Sequence, residues 1–382
     1  MKVLLTNFHE GDGGGHTTYL MALARGLGAR HEIHVAAPPT SRLHREASSL
    51  DGVRALAQPF PNGVSKLVAS LRARRQLRDY LRRHAFDIVH VNGSADHRLV
   101  LSAIRGLPRP PKIVFTKHNS KPATGFTHRL RAKRTDLAIA VSDATLRELQ
   151  ATPYAACAPR TIRNGVDIAH YAPWPATDAL AERDRWCGRD ALLLGSNAGT
   201  AAHKGWMDLV EAIATLPVER RARVHVLLCG KPPTAEQVAR IEALGLSAQV
   251  HFAGLLSDVR PMIAAIDAGF VLSHAVETIS FACREMMAMG KPVLVSDYAG
   301  LPENIEAGVD GWIVPVRDRA AIARAVEGLL DDRDHLPAMG VAARRKAERE
   351  FGLGGFVDAT EAAYVALLPR AGAPQAEGHA GR

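Results

Sequence analysis

Short apolar runs rich in Val, Ile and Leu alternate with longer stretches of helical period along nearly the whole chain, and the alternation stops once and then restarts. That pattern leaves few folds open. Each short run reads as a strand buried on both faces and each intervening stretch as a crossover helix, which together make a parallel sheet covered by helices. The first series places strands at 3–8, 32–37, 53–57, 87–92, 112–117 and 137–142, with the clearest helices at 16–27 and 65–84. The second places strands at 191–196, 225–230, 249–253, 268–273, 292–297 and 312–315. Between the series lies Tyr171-Ala-Pro-Trp-Pro175, where two close prolines interrupt regular structure.

A chain of 382 residues also exceeds what one core usually organises. The expectation is an α/β protein of two Rossmann-like, doubly wound parallel-sheet domains that face each other across a cleft. Residues 1–167 form the first domain, 168–190 a linker and 191–351 the second domain. Residues 352–369 are expected to form a helix that packs back toward the first domain, and the small, polar end at 370–382 a disordered tail.

Charge separates the two halves. The chain carries a formal +9, yet residues 1–165 alone hold 26 Lys and Arg against 11 Asp and Glu, so the remainder is net acidic. A basic half points to an anionic partner: a phosphorylated acceptor, an acidic membrane surface or nucleic acid. Nucleic acid is disfavoured, because aromatic residues make up 5% of the chain and do not interleave with the basic runs. Cys157, Cys187, Cys229 and Cys283 form no C-x-x-C pair, which argues against a zinc site built on them and against a disulfide framework. No apolar run approaches the ~18 residues of a membrane span. The start, MKVLLTNFHEGDGGGH, has no signal-peptide core. The reading is a cytoplasmic protein, peripheral at the inner membrane.

Ligands of parallel sheets bind beyond the carboxyl ends of the strands. Four segments stand there. Gly13, Gly14 and Gly15 lie between the first strand and a helix, where glycines let backbone amides approach an anion at the helix N-terminus. The spacing is not G-x-G-x-x-G, and Ala36-Ala-Pro-Pro39 closes the second strand without an acidic residue, so a nicotinamide dinucleotide is disfavoured. His118, flanked by Lys117 and Asn119, ends a strand at the cleft and can contact a sugar hydroxyl or a phosphate. Ser196 and Asn197 open a small polar loop that runs to Lys204-Gly205, whose ammonium and amides suit a diphosphate although P-loop spacing is missing. The fourth segment is the most specific. After Ser273, a loop with Glu277, Thr278, Ile279 and Ser280 enters a helix that carries Glu285, backed by Met286, Met287 and Met289. Amides at that helix start can hold phosphate or sugar oxygens, and the Glu285 carboxylate can accept both hydroxyls of a ribose.

Taken in order, these segments resemble the retaining glycosyltransferases of family 4. Glu277, Glu285 and Gly290-Lys-Pro-Val293 are similar to the family's Glu-x7-Glu and Gly-x-Pro-Val elements. Asn164-Gly-Val-Asp167, Lys204-Gly205, Gly300-Leu-Pro-Glu303 and Gly311-Trp-Ile-Val-Pro315 are similar to others, so the resemblance runs from Gly13 to about Phe351. It implies the GT-B fold, a nucleotide-sugar co-substrate (a UDP-sugar favoured), no further cofactor, and retention of configuration. It also implies roles. His118, Glu277 and Lys204 become catalytic: His118 and Glu277 near the donor sugar, Lys204 on the diphosphate. Gly13, Gly14, Gly15, Ser196, Asn197, Thr278, Ile279, Ser280 and Glu285 surround the donor, with Glu285 on the ribose.

This sequence departs from the pattern in two places. Ser196 and Asn197 stand where the family usually has an arginine, so one positive charge on the leaving diphosphate is either missing or supplied elsewhere, as by Arg163 or Lys117. Arg284 and Met286 flank Glu285 where other residues are usual, which puts details of the nucleoside pocket in doubt.

Transfer needs charge stabilisation on the departing diphosphate, and Lys204 with helix amides can supply it without a metal. Asp332-Arg-Asp334 is expected in a helix turn away from the cleft. The acceptor falls to the basic half. Arg72, Arg74, Arg75, Arg78, Arg82 and Arg83 share one helix, and Arg129, Arg131, Lys133 and Arg134 follow Lys117 and Asn119. A phosphorylated lipopolysaccharide core or a lipid-linked saccharide at the inner leaflet suits these charges. Two other readings stay open here: a GT-B nucleotide-sugar epimerase, and a non-catalytic nucleotide-sugar or glycan-binding protein.

Overall fold

A computed structural model describes residues 1–369, so the tail expected at 370–382 lies outside the described residues. Seven parallel strands form the first sheet: β1 (Lys2–Thr6), β2 (Glu32–Ala37), β3 (Val53–Ala57), β4 (Ile88–Val91), β5 (Lys112–Lys117), β6 (Leu137–Ala140) and β7 (Arg160–Thr161). Their order is β3-β2-β1-β4-β5-β6-β7. The second sheet is built from β8 (Leu192–Ser196), β9 (Val224–Cys229), β10 (Val250–Gly254), β11 (Ala268–Val271), β12 (Val293–Ser296) and β13 (Gly311–Val314), ordered β10-β9-β8-β11-β12-β13. Both orders reverse beside the first strand of the sheet, and such switch points leave a crevice at the carboxyl ends.

The central strands are buried on both faces, as β1, β8 and β12 show, because helices cover each side. Several expected strands ran past their observed ends. Phe8, Asn92, Ser142 and Ser273 leave the ladder early, since the chain turns there to form the rim of the crevice. The two-residue β7 was missed because it offers no apolar run.

The stretch 168–190, expected as a linker, contains the helix Ala176–Arg183, which packs on the second domain. Arg183 is 4% exposed, pairs with Asp267 at 2.9 Å and donates to the carbonyls of Ala191 and Ala265. A buried guanidinium needs such a full set of acceptors.

The chain crosses between the domains twice, side by side. Val166 N donates to Phe351 O at 2.7 Å, and Val166 bridges Gly352 in parallel. The helix Leu353–Val365 then returns to the first domain, where Phe356, Val357 and Tyr364 join the core around Tyr19 and Leu23. Arg284 sits beside both crossings, fully buried. It donates to Asn304 Oδ1 at 2.8 Å and to the Asn164 carbonyl, and its guanidinium lies 4.3 Å over the Phe351 ring. Burial pushes its pKa down to about 9. The domains also touch at the rim: Glu303 accepts from the amides of Asp143 (2.9 Å) and Ala144 (2.8 Å), capping the helix Asp143–Gln150.

Candidate functional site

Three strand ends make the first wall of the crevice. Thr6 ends β1, Asn92 follows β4, His118 follows β5, and hydrogen bonds through side chains and backbone link the three. His118 Nε2 donates to Asn92 Oδ1 at 2.8 Å. Asn92 Nδ2 donates to the carbonyls of Thr6 (3.1 Å) and His90 (3.3 Å), which fixes the orientation of the amide. Asp96 closes the chain: one oxygen accepts from Thr6 Oγ1 and from Asn92 N, both at 2.8 Å. Burial raises the Asp96 carboxyl to about 7 against the pull of those donors.

The His118 ring packs against His16 and Tyr19, with ring centroids 4.4 and 4.5 Å away, and His9 lies 4.5 Å beyond His16. Burial holds His118 well below the usual histidine range, and the neighbouring His16, His90, His9 and Lys117 add to the effect. Burial also pushes His16 down to about 3. His118 is therefore neutral near pH 7, with its proton on Nε2 and a free lone pair on Nδ1.

The second wall rises from the loops after β8 and β11. Gly205 adopts φ +72, and a Cβ there would fall 1.9 Å from the Leu272 carbonyl oxygen, so only glycine fits. That close approach places Lys204, whose ammonium lies 2.8 Å from Glu277 Oε2. Glu277 is 9% exposed, and its other oxygen accepts from Thr278 N at 3.1 Å. The loop is strained on both sides, since Val276 (φ 54) and Ser280 (φ 59) occupy the left-handed region without being glycine.

Ser280 caps the helix Phe281–Ala288 by accepting from Cys283 N at 3.4 Å. The amides of Ile279, Ser280, Phe281 and Ala282 have no acceptor among the described residues. Gly13, at φ +69, caps the helix Gly14–Gly28 on the other wall. The two helix starts meet, because a Cβ on Gly15 would lie 3.5 Å from the Phe281 ring. Two positive helix ends thus converge on one point of the crevice, a setting that favours an anion.

One turn further, Asn197 Nδ2 donates to Glu285 Oε2 at 2.6 Å, and Tyr171 lines the same groove as this carboxyl. Burial lifts Glu285 to about 6, with Asn197 and the nearby Tyr171 pulling the other way. Glu285 opens on a groove of about 670 Å³ between the domains, lined by Thr18, Arg42, His170, Tyr171 and Phe281 among others.

Some expected residues serve other partners. Ser196 is buried and its hydroxyl accepts from Ala198 N at 3.3 Å, while the Thr278 amide is taken by Glu277. Lys117 is 5% exposed and turns onto Asn119, whose side-chain oxygen is 2.9 Å away. Arg163 pairs with Asp143 and with Glu303. The two stand-ins for the missing arginine are therefore both committed elsewhere.

The basic run separates from the crevice. Arg131, Lys133 and Arg134 line an outer groove of about 610 Å³ with Arg74, Arg98 and Arg105. Arg129 lies on the same short helix, Phe126–Ala132, and is exposed. Sequence reasoning missed Asn92, Asp96, His16 and Tyr171. The rule that strand ends carry chemistry would have found Asn92; Tyr171 was hidden in the proline-containing segment.

Comparison with known proteins gives the same reading over the length of the chain. Residues 13–170 match the model of Glycosyltransferase Family 4, and residues 189–332 match that of Glycosyl transferases group 1. The phosphatidyl-myo-inositol mannosyltransferase of Mycolicibacterium smegmatis is 28% identical over 344 residues, covering 88% of this chain and 85% of that protein. The lipopolysaccharide core biosynthesis glycosyltransferase LpsE of Rhizobium meliloti is 32% identical over 144 residues, covering 37% of this chain and 41% of that one. Among solved structures, Anabaena Alr3699/HepE in complex with UDP superposes with a TM-score of 0.80 at 20% identity, covering 96% of this chain and 100% of that one. The likeness shows the GT-B fold. With both family models matched in order on its two domains, the chain belongs to the glycosyltransferases of the family 4, group 1 type, and is a transferase.

Proposed function

We propose that the protein moves a sugar, with retention of configuration, from a UDP-sugar to an anionic saccharide or glycolipid acceptor at the cytoplasmic face of the membrane. The observation that carries this reading is the convergence of two helix starts, at Gly14 and Phe281, beside the Lys204–Glu277 pair. A diphosphate at that point meets the free amides of Ile279 to Ala282 and the Lys204 ammonium, so no metal is required to offset its charge. Glu285, oriented by Asn197, accepts from the ribose hydroxyls. His118 Nδ1 accepts from a donor-sugar hydroxyl. No side chain is assigned as nucleophile. The bond from the anomeric carbon to the diphosphate breaks, the acceptor oxygen bonds to the same face, and its proton passes to the departing phosphate oxygen.

The outer groove supports an anionic, lipid-bearing acceptor or leaflet. Arg74, Arg98, Arg105, Arg131, Lys133 and Arg134 form no ion pair among the described residues, and no carboxylate lines the groove. Leu71 and Phe126, exposed at 56% and 73%, extend the same faces with apolar surface. Among the described residues no helix is long and apolar enough to cross a membrane, so contact of this kind would be peripheral. The names of LpsE and of the mannosyltransferase point in the same direction.

The test is incubation with a panel of UDP-sugars, with and without anionic glycolipid, in buffer containing EDTA. Lipid-dependent release of UDP supports the proposal. Isomerised sugar without an acceptor would identify an epimerase, and binding without any turnover a carrier.

A further inference from the structure

At the end of the first sheet opposite the crevice, β2 begins with Glu32 and His34, two residues apart and so on one face. The helix Leu67–His84 ends beside them on His84, because Ala85 turns the chain in the left-handed region (φ 46). One ligand atom from each of Glu32, His34 and His84 lies within 4.8 Å of the others.

His34 Nε2 is 2.9 Å from Glu32 Oε1, and its other ring nitrogen, Nδ1, is 2.6 Å from the Tyr80 hydroxyl. Metal-bound histidines need this arrangement: one nitrogen for the ion and the other held by an outer partner. The His84 ring lies 4.3 Å from Tyr80 and 5.0 Å from His34, at the negative end of its helix, where a cation is favoured. The place already attracts positive charge. Lys2 Nζ stands 3.2 Å and Arg54 Nη1 3.7 Å from Glu32, and an ion would take their place on this carboxylate.

We propose that Glu32, His34 and His84 bind a divalent transition ion of the zinc type, with water in the fourth position, which clamps β2 to the end of the arginine-rich helix. Two imidazoles and one carboxylate are donors suited to zinc and unsuited to magnesium or calcium, which take oxygen ligands. Bonds of ~2.1 Å in a tetrahedron space ligand atoms roughly 3.4 Å apart. His84, at a helix end, can move the remaining ångström or so. The site is separate from the sugar chemistry, and its role is to fix the helix that carries the basic face.

The test uses the untagged full-length chain, stripped with EDTA and titrated with Zn²⁺, Co²⁺ or Mg²⁺. The expected result is one zinc or cobalt ion per chain, a visible absorption band of tetrahedral cobalt, and a Tm raised by several degrees with zinc but not magnesium. His84→Ala should abolish the band and the zinc-dependent rise while leaving UDP binding intact, and Tyr80→Phe should weaken the site about tenfold. His34 is fully buried, so its replacement risks the fold, and Glu32→Gln serves as the second variant. Absence of the cobalt band, or zinc binding by His84→Ala and Glu32→Gln as tight as that of the unaltered chain, overturns the proposal.

Discussion

His118 gives its Nε2 proton to Asn92 Oδ1 at 2.8 Å, and this one bond decides which tautomer of the imidazole meets the crevice. Because the other atoms of the Asn92 amide are held by two backbone carbonyls, the amide cannot turn to offer a donor instead.

Asn92→Ala should leave the buried His118 N–H without a partner and let the ring rotate. The expected result is a kcat lower by roughly tenfold or more, a loss of about 1–3 kcal/mol in stability, and an unchanged Kd for UDP. Steady-state kinetics, calorimetry and urea unfolding report the three quantities. An unaltered kcat would remove Asn92 from the machinery.

Binding of UDP should depend on the ionisation of Glu285. Burial lifts its carboxyl to about 6, so it is charged at pH 7.5 and protonated progressively below pH 6. Affinity should hold above pH 7 and fall as the pH drops through 6, by up to about tenfold per unit. Glu285→Gln should bind weakly and without that pH dependence. Calorimetric titrations between pH 5 and 8 would show a flat profile if the carboxyl does not touch the nucleotide.

Lys204→Gln removes the one ammonium paired with Glu277. Loss of a group that meets developing charge typically lowers kcat by about 10²–10³, with a smaller change in KM. A rise in KM alone, with kcat unchanged, would point to a ground-state role.

The protein should be acid-sensitive. Burial holds His16, His90 and His97 at about 3, whereas these side chains titrate near 6.5 when unfolded. Their folded pKa values are lowered, so the unfolded chain takes up more protons and stability falls as the pH drops below 6.5. Asp96 at about 7 and Glu285 at about 6 act in the opposite sense, since they gain their protons in the folded state first. Three histidines against two carboxyls leave about one net proton, or ~1.4 kcal/mol per pH unit near pH 5, and His118 adds to it. Urea midpoints at pH 7, 6 and 5 should decline in that order.

Vesicles containing anionic phospholipid should sediment the protein, and neutral vesicles should not. Replacing both Arg98 and Arg131 by Ser should weaken this by about 1 kcal/mol per charge at low salt, and raising ionic strength should act likewise. Sedimentation indifferent to lipid charge would leave the outer groove without its expected partner.

The architecture was legible because parallel strands buried on both faces are written as unbroken apolar runs, as in Leu192-Leu-Leu194 of β8. The Glu277 and Glu285 spacing was legible for a similar reason, since a helix start and its first turn are local features. What the sequence could not display was pairing at a distance. Lys117 looked like a free cation until Asn119 folded onto it, and Arg163 until Glu303 arrived from the other domain. Tyr171 sat in a segment read as connection, yet tertiary packing places it in the same groove as Glu285. The basic run from Arg129 to Arg134 showed its charge in sequence but not that its helix turns it toward an outer groove.

The paired crossings at Val166 and Gly352 have an evolutionary consequence. With Phe356, Val357 and Tyr364 embedded in the opening domain, that domain is discontinuous in the gene, and the other half is an insertion within it. Exchange of the donor half among relatives, by recombination or by design, therefore requires two matched joins rather than one. Each join touches Arg284 or its ring partner Phe351, so a transplanted half must bring side chains that accept both seams at once.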